Sequence, residues 1–235
     1  MQTFASLVQK VGSVKLPPFN GVRILIMPYK LEDPEGTIPD FVGKHYLAPW
    51  RPTVKAIGRF MPNKHGTAYL TIDEAIVEAG ETHRRPGLHV DGVGPWGDDN
   101  PIWSSDVFSS KNQPDTREAK YLRGGMFLAA SHTGCRAWDK DFTGYPGPDG
   151  DCAHLEDQCN PQEAIYMKPG GLYWCGPYGV HEAISMEERT ARQLIRVSTP
   201  SNAPWYEGCT ENPLGIEPDG PIAPKREAQM AYRPE

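Results

Sequence analysis

The chain has 235 residues, of which 38% are apolar and 23% charged, with a formal net charge of −6. That composition fits a globular domain with a sizeable core. It argues against non-specific nucleic-acid binding, which needs many phosphate-neutralising cations, since "HRRP" at 83–86 is the one basic cluster. No apolar run reaches the length of a membrane-spanning helix. Glycine and proline, 24 residues each, favour a loop-rich β architecture over a helical bundle.

In chain order, "MQTFASLVQKVG" carries Phe4, Leu7, Val8 and Val11 at helical spacing and predicts a short amphipathic helix; it lacks the pattern of a signal peptide. Residues 21–31 read as a buried strand after the turn signal "PPFNG". Residues 67–79 alternate and predict a strand or hairpin, with a helix over 72–79 as the competing reading. A short strand follows at 85–92, then a long loop at 92–106. Residues 124–131 predict a strand and 134–142 a further candidate. Residues 143–162 form a polar loop, and 164–183 read strand, Pro-Gly-Gly turn, strand. Residues 191–200 are the last strong strand, and Pro-rich 201–235 a C-terminal extension packed over the surface or partly disordered. Short strands between Gly/Pro turns predict an all-β sandwich or barrel within a single domain spanning 1–235. Five cysteines at irregular spacing do not form a secreted disulfide framework, so a reducing, cytoplasmic setting is expected.

The chemistry concentrates in "GLHVDG". Side chains at i and i+2 of a strand share a face, so His89 and Asp91 project together while Leu88 and Val90 turn away. Two histidines and a carboxylate with open positions suit non-haem Fe(II). His181, after the glycine-rich "GLYWCGPYGVHEA", is the best third ligand. On the next strand the same periodicity puts Arg192, Leu194, Arg196 and Ser198 on one face. Two inward arginines are costly unless an anion meets them, and a dicarboxylate is the natural partner. Cys152, His154 and Cys159 lack a fourth ligand and a zinc-site spacing.

The His-x-Asp pair, the distal His after "KPGG", and the Arg-bearing strand resemble the 2-oxoglutarate/Fe(II)-dependent oxygenase superfamily over residues 85–200. The eleven residues from His181 to Arg192 are similar to the spacing in the taurine dioxygenase and phytanoyl-CoA hydroxylase branches. The resemblance implies a mainly β fold: a double-stranded β-helix (jelly-roll, cupin-like) core over about 67–200 with a few flanking helices. It implies Fe(II) held by His89, Asp91 and His181, with O₂ and 2-oxoglutarate as co-substrates. The far carboxylate of 2-oxoglutarate would meet Arg192 or Arg196, assisted by Ser198 or Tyr166. A small-molecule substrate would be oxidised by hydroxylation, desaturation or ring formation, with contacts from Arg84, Arg85, Trp96, Asp98, Asp99, Trp103 and Arg136. Two other classes stay open: a cupin-type metalloenzyme (isomerase or 2-oxoglutarate-independent dioxygenase) and a non-catalytic jelly-roll binding module.

Overall fold

The computed structural model describes residues 3–61, 64–91, 93–94, 97–101, 125–147, 150–198, 205–219 and 222–223. The described residues are mainly β. The first strands are β1 (Thr3–Ser6), β2 (Val8–Ser13) and β3 (Arg23–Lys30), followed by the one-turn helix α1 (Pro34–Thr37). A small hairpin, β4 (Phe41–Val42) and β5 (His45–Tyr46), leads to helix α2 (Arg51–Gly58) and the long strand β6 (Thr67–Val77). Then come β7 (Val93–Gly94), β8 (Gly97–Pro101), β9 (Met126–Ala130), β10 (Cys135–Trp138), β11 (Lys140–Thr143) and β12 (Ile165–Tyr166). The chain closes with β13 (Gly171–Cys175), β14 (Val180–Ala183), β15 (Thr190–Ser198), β16 (Trp205–Tyr206) and β17 (Ile222–Ala223).

The framework is an antiparallel six-stranded sheet in the order β2-β13-β9-β15-β6-β3. A three-stranded sheet, β12-β10-β14, lies across from it. Period two decides what each face of the large sheet meets. Phe127, Ala129, Ile195, Val197, Leu70 and Ile72 form one core with Trp50, Val54 and Ile57 from α2 and its lead-in. On the other face Met126, Leu128, Ala130, Tyr173 and Leu194 meet Ala137 of the small sheet and Met167. Arg192, Arg196 and Ser198 alternate onto this second face, between the sheets, as the sequence periodicity predicts.

One expectation changes and one alternative is resolved. The N-terminal residues form no helix: β1 pairs with β11 and β2 with the edge strand β13. Phe4, 3% exposed, stacks on Phe142 at 5.6 Å, and pairing with existing strands outweighs the helical spacing of four apolar residues. Residues 72–77 belong to β6, as the strand reading expects, and its ladders to β15 and β3 leave no room for the competing helix. Helix α2 is not anticipated by the sequence reading. It places Val54 and Ile57 on the large sheet and exposes Lys55.

The described residues 205–219 of the Pro-rich extension pack on the sheet. Trp205, Tyr206 and Cys209 are buried against Leu25, Ile26 and Tyr69. They seat on a bulge of β3, where Ile26 adopts a positive φ of 52°. The Thr71 hydroxyl accepts the Ile26 N–H at 3.0 Å, and the Trp205 indole donates to the Ile26 carbonyl at 2.9 Å. These bonds hold a backbone conformation that a β-branched residue otherwise avoids. Among the described residues no helix is long and apolar enough to cross a membrane.

One buried hydroxyl joins the N-terminus to the strand that carries His181. Ser6 Oγ donates to the Trp138 carbonyl and accepts from the Val180 N–H at 2.8 Å. Ser6→Ala strands both groups inside the protein, and the expected loss is about 1–3 kcal/mol of stability. Chemical denaturation of the two proteins measures it; a change under about 0.5 kcal/mol contradicts this role.

Candidate metal centre

His89 sits on no regular strand. Preceded by Pro86 and Gly87, its segment is short and is held from both sides. His89 and His181 exchange backbone hydrogen bonds, 3.0 Å in each direction. On the other side Val90 N–H donates to the Gly150 carbonyl at 2.8 Å, and Cys152 N–H to the Leu88 carbonyl at 2.9 Å. The strand expected at 85–92 is therefore reduced to two isolated bridges. The alternation nonetheless holds: Leu88 and Val90 enter a core with Trp138, Phe142 and Val180. His89 and Asp91 face the opposite way.

There they meet His181. One ligand atom from each of His89, Asp91 and His181 lies within 4.8 Å of the others, so the group could hold a metal ion. Among the described residues no other set of three such side chains converges. Both histidines are 7% exposed. Each points Nδ1 at a carbonyl two residues back, Gly87 for His89 and Gly179 for His181, both at 2.8 Å. A carbonyl only accepts, so Nδ1 carries the proton and the Nε2 lone pair is left for a ligand. Burial, then the neighbouring His181, pushes His89 down to about 4, so it is neutral near pH 7. Burial alone would raise Asp91. Arg196, with both histidines, instead holds its carboxyl well below the usual carboxylate range. The donor set is thus two imidazoles and one carboxylate, which suits a divalent transition metal with positions left open.

The two arginines of β15 have different partners. Arg196 Nη1 is 3.2 Å from Asp91 Oδ2, the oxygen that also lies 3.9 Å from His181 Nε2. Arg192 is 2% exposed and donates through Nη1 to His83 Nδ1 at 2.8 Å. Its Nε is buried and has no hydrogen-bond partner. Burial pulls Arg192 down to about 10, so it remains charged at neutral pH. Arg192 shares the inter-sheet face of β15 with Arg196, which bonds Asp91; Arg192 and Asp91 each also act on the Cys135 thiol, which burial pushes up to about 12. Gly134 makes room for this guanidinium, since a Cβ there would lie 2.6 Å from Arg192 Nε.

The remaining candidates divide. Arg84 bonds Asp73 at 2.9 Å and acts electrostatically on Asp91, Arg192 and Arg196. Arg85 is near enough to act on His89. Ser198 is buried on the arginine face, but it sits six residues, roughly 20 Å, along the strand from Arg192 and can assist only Arg196. Tyr166 and Arg136 do not reach the centre. They oppose each other across β12 and β10, and Arg136 opposes Glu182, to which it bonds at 2.6 Å. His181 opposes Ala137 one residue along, so Arg136 and Tyr166 lie on the outer face of the small sheet. Trp96 and Trp103, and the side chains of Asp98 and Asp99, lie outside the described residues. His154 is exposed and bonded through Nε2 to the Tyr145 carbonyl at 2.9 Å, apart from any metal group. Trp138 and Trp174 are core residues.

The sequence reading passed over His83, Asp73, Gly134 and Gly150, all of which shape this compartment. Their partners lie far away in the chain, so no local spacing could have exposed them. The chain matches no known family model, no curated protein and no solved structure.

Removing one imidazole should abolish high-affinity metal binding: His181→Ala is expected to bind no Fe(II) or Co(II) in an anaerobic titration that saturates the unmodified protein. Gly150 gives a subtler test. It has φ +74°, and a Cβ there would lie 2.1 Å from the Val90 carbonyl. Gly150→Ala must therefore displace the His89–Asp91 segment from its register beside His181. Metal affinity is expected to fall by about 10–100-fold with all three ligands present. Equal affinity in this variant contradicts the geometry.

Proposed function

We propose that the protein is a non-haem Fe(II)/2-oxoglutarate-dependent oxygenase acting on a small molecule. One observation carries the reading. A buried, charged Arg192 with an unpartnered Nε shares a compartment with a two-histidine, one-carboxylate group. The donor set fits Fe(II). The orphaned guanidinium edge fits a carboxylate in bidentate geometry, as the far end of 2-oxoglutarate would present. Of the two arginines, Arg192 is the better anchor, because Arg196 already engages Asp91.

The strand order supports a jelly-roll form of the β architecture. Successive elements alternate between the sheets: β6 in the large one, the His89 segment opposite, β9 back in the large one and β10 opposite. Then β12 stays opposite, β13 returns, β14 crosses over and β15 returns. The inner order β13-β9-β15-β6 on one side and β12-β10-β14-His89 on the other is the wrapping expected of a double-stranded β-helix.

When bound, Fe(II) would supply the redox chemistry that couples decarboxylation of 2-oxoglutarate to succinate and CO₂ with oxidation of the substrate by O₂. The protein's own part is positional and electrostatic. His89, Asp91 and His181 would hold the metal, with the Gly87 and Gly179 carbonyls fixing the imidazole tautomers. Arg196 keeps Asp91 ionised and oriented. Arg192 would orient the co-substrate from its far carboxylate. Arg84 and Arg85 flank the centre and are the described residues best placed to meet a polar substrate.

A cupin-type enzyme that uses no 2-oxoglutarate would leave the Arg192 Nε unexplained, and a non-catalytic module would leave the convergence of the three ligands unexplained. Arg192→Gln separates the readings. The oxygenase reading expects unchanged Fe(II) binding and a 2-oxoglutarate Kd raised about 10–100-fold, the worth of a charge-assisted pair. Anaerobic titration into iron-loaded protein measures it, beside substrate-dependent succinate release. Iron-loaded protein that neither binds 2-oxoglutarate nor releases succinate with any of a broad substrate panel removes the proposal.

A further inference from the structure

The compartment holds a second buried constellation that the metal group does not use: Asp73 on β6, His83 in the following loop and Arg192 on β15. The side chains of His83 and Asp73 are 3% and 2% exposed. Arg192 Nη1 and His83 Nδ1 are 2.8 Å apart. A guanidinium only donates, so His83 Nδ1 must accept, which requires a neutral ring with its proton on Nε2. That Nε2 lies 3.4 Å from Asp73 Oδ2, long for a hydrogen bond but close enough for attraction. Asp73 is fixed in turn by Arg84 on Oδ2 at 2.9 Å and Arg23 on Oδ1 at 3.2 Å. The chain Asp73, His83, Arg192 therefore selects one tautomer and directs one nitrogen of the guanidinium.

We infer that His83, backed by Asp73, is a positioning residue that aims the free edge of Arg192 at an anionic ligand; this rests on the reading of Arg192 as the carboxylate anchor. With Nη1 committed to His83 and Nε buried without a partner, the Nε–Nη2 edge, packed beside Gly134, is the one left for a ligand. Without an acceptor at His83, a long flexible arginine beside the Asp73 carboxylate would pair with it directly and be withdrawn from the ligand. The role is unlike that of a packing histidine because it depends on protonation. Protonated His83 cannot accept from Arg192 and sets a cation against it. The charged groups facing His83 are Asp73 from β6, Arg192 from β15 and Arg84 from its own loop. Burial first, then Arg192 and Arg84, hold His83 below the ordinary histidine value against the pull of Asp73. The aimed state is therefore intact at neutral pH and is lost as pH falls through that lowered value.

The test is anaerobic titration calorimetry of 2-oxoglutarate, and separately of succinate, into Fe(II)-loaded protein. It compares the unmodified chain with His83→Phe, which keeps the ring volume and removes the acceptor, and His83→Asn, whose amide oxygen replaces Nδ1. His83→Phe is expected to weaken both ligands about tenfold or more while Fe(II) affinity is unchanged, and His83→Asn to recover most of the loss. The unmodified protein should bind 2-oxoglutarate more weakly from about pH 7 to pH 5 than His83→Asn does over the same interval. Unaltered binding by His83→Phe, or equal pH profiles for the unmodified and His83→Asn proteins, overturns the inference. If His83→Phe does not fold, the pH comparison decides. Failure of the unmodified iron-loaded protein to bind 2-oxoglutarate at all would instead overturn the oxygenase reading itself.

Discussion

Everything at the centre depends on two backbone hydrogen bonds, the 3.0 Å pair that His89 and His181 exchange. Directly opposed residues of an antiparallel pair project their side chains from the same face. The exchange therefore brings the two rings to a centroid separation of 4.4 Å, and Asp91, two residues on, falls beside them. Neither histidine could be placed so closely by side-chain packing alone. The surrounding structure secures this one register. Gly150 and Cys152 clamp the His89 segment from its far side, and Ser6 ties down the residue before His181. Behind them Leu88, Val90 and Val180 anchor both segments in one apolar cluster. A slip of one residue in either segment would turn its ligands into that cluster and its apolar residues into the polar compartment.

The compartment between the sheets is built against ordinary economy of burial. Arg84, Arg192 and Arg196 face Asp73 and Asp91 there, with Arg23 and Arg85 at the periphery. Replacing buried ion pairs by apolar residues is commonly neutral or stabilising, so so much charge does not serve the fold. Among the described residues guanidiniums outnumber carboxylates there even before a metal cation is added. The excess is what an anionic ligand would relieve, and a dicarboxylate relieves it at one end while meeting a metal at the other. The fold tolerates the arrangement because its stability is secured elsewhere, chiefly by the apolar core under α2 on the opposite face of the same sheet.

The sequence disclosed features that follow from short-range periodicity. The strands at 21–31, 67–79, 124–131 and 191–200 are present, and the alternation correctly places His89 with Asp91 and Arg192 with Arg196. His181 was found by its glycine-rich approach, and it does converge with the other two. The N-terminal helix failed because Phe4 and Val8 fit either period, and only the presence of β11 and β13 decides between them. Arg136 and Tyr166 failed for a related reason. Their face of the small sheet is fixed by pairing with β14, and nothing in "GCRAWD" or "AIYMK" says which side of β10 and β12 turns outward. Sequence also left Arg192 and Arg196 equivalent. Their distinction comes from Asp91 and His83, partners 105 and 109 residues away.

The two arginines occupy two levels of one strand. They are four residues apart, about 13 Å along β15, on a single face. Arg196 stands at the metal end, where its hydrogen bond to Asp91 opposes the cost of burying that carboxylate and keeps it ionised. Arg192 stands at the other end, where His83 and Gly134 leave part of its hydrogen-bonding capacity unspent. A rigid β-strand paired on both sides, by β6 and β9, fixes the separation between these positions more firmly than any loop could. The C-terminal segment packs on this sheet at β3 and β6. Cys209 lies close enough to act on Arg196, and Trp205 and Tyr206 pack over the bulge of β3. Residues that the sequence presents as a weakly patterned extension are thus, through Trp205, Tyr206 and Cys209, part of the packing on the sheet that carries both arginines.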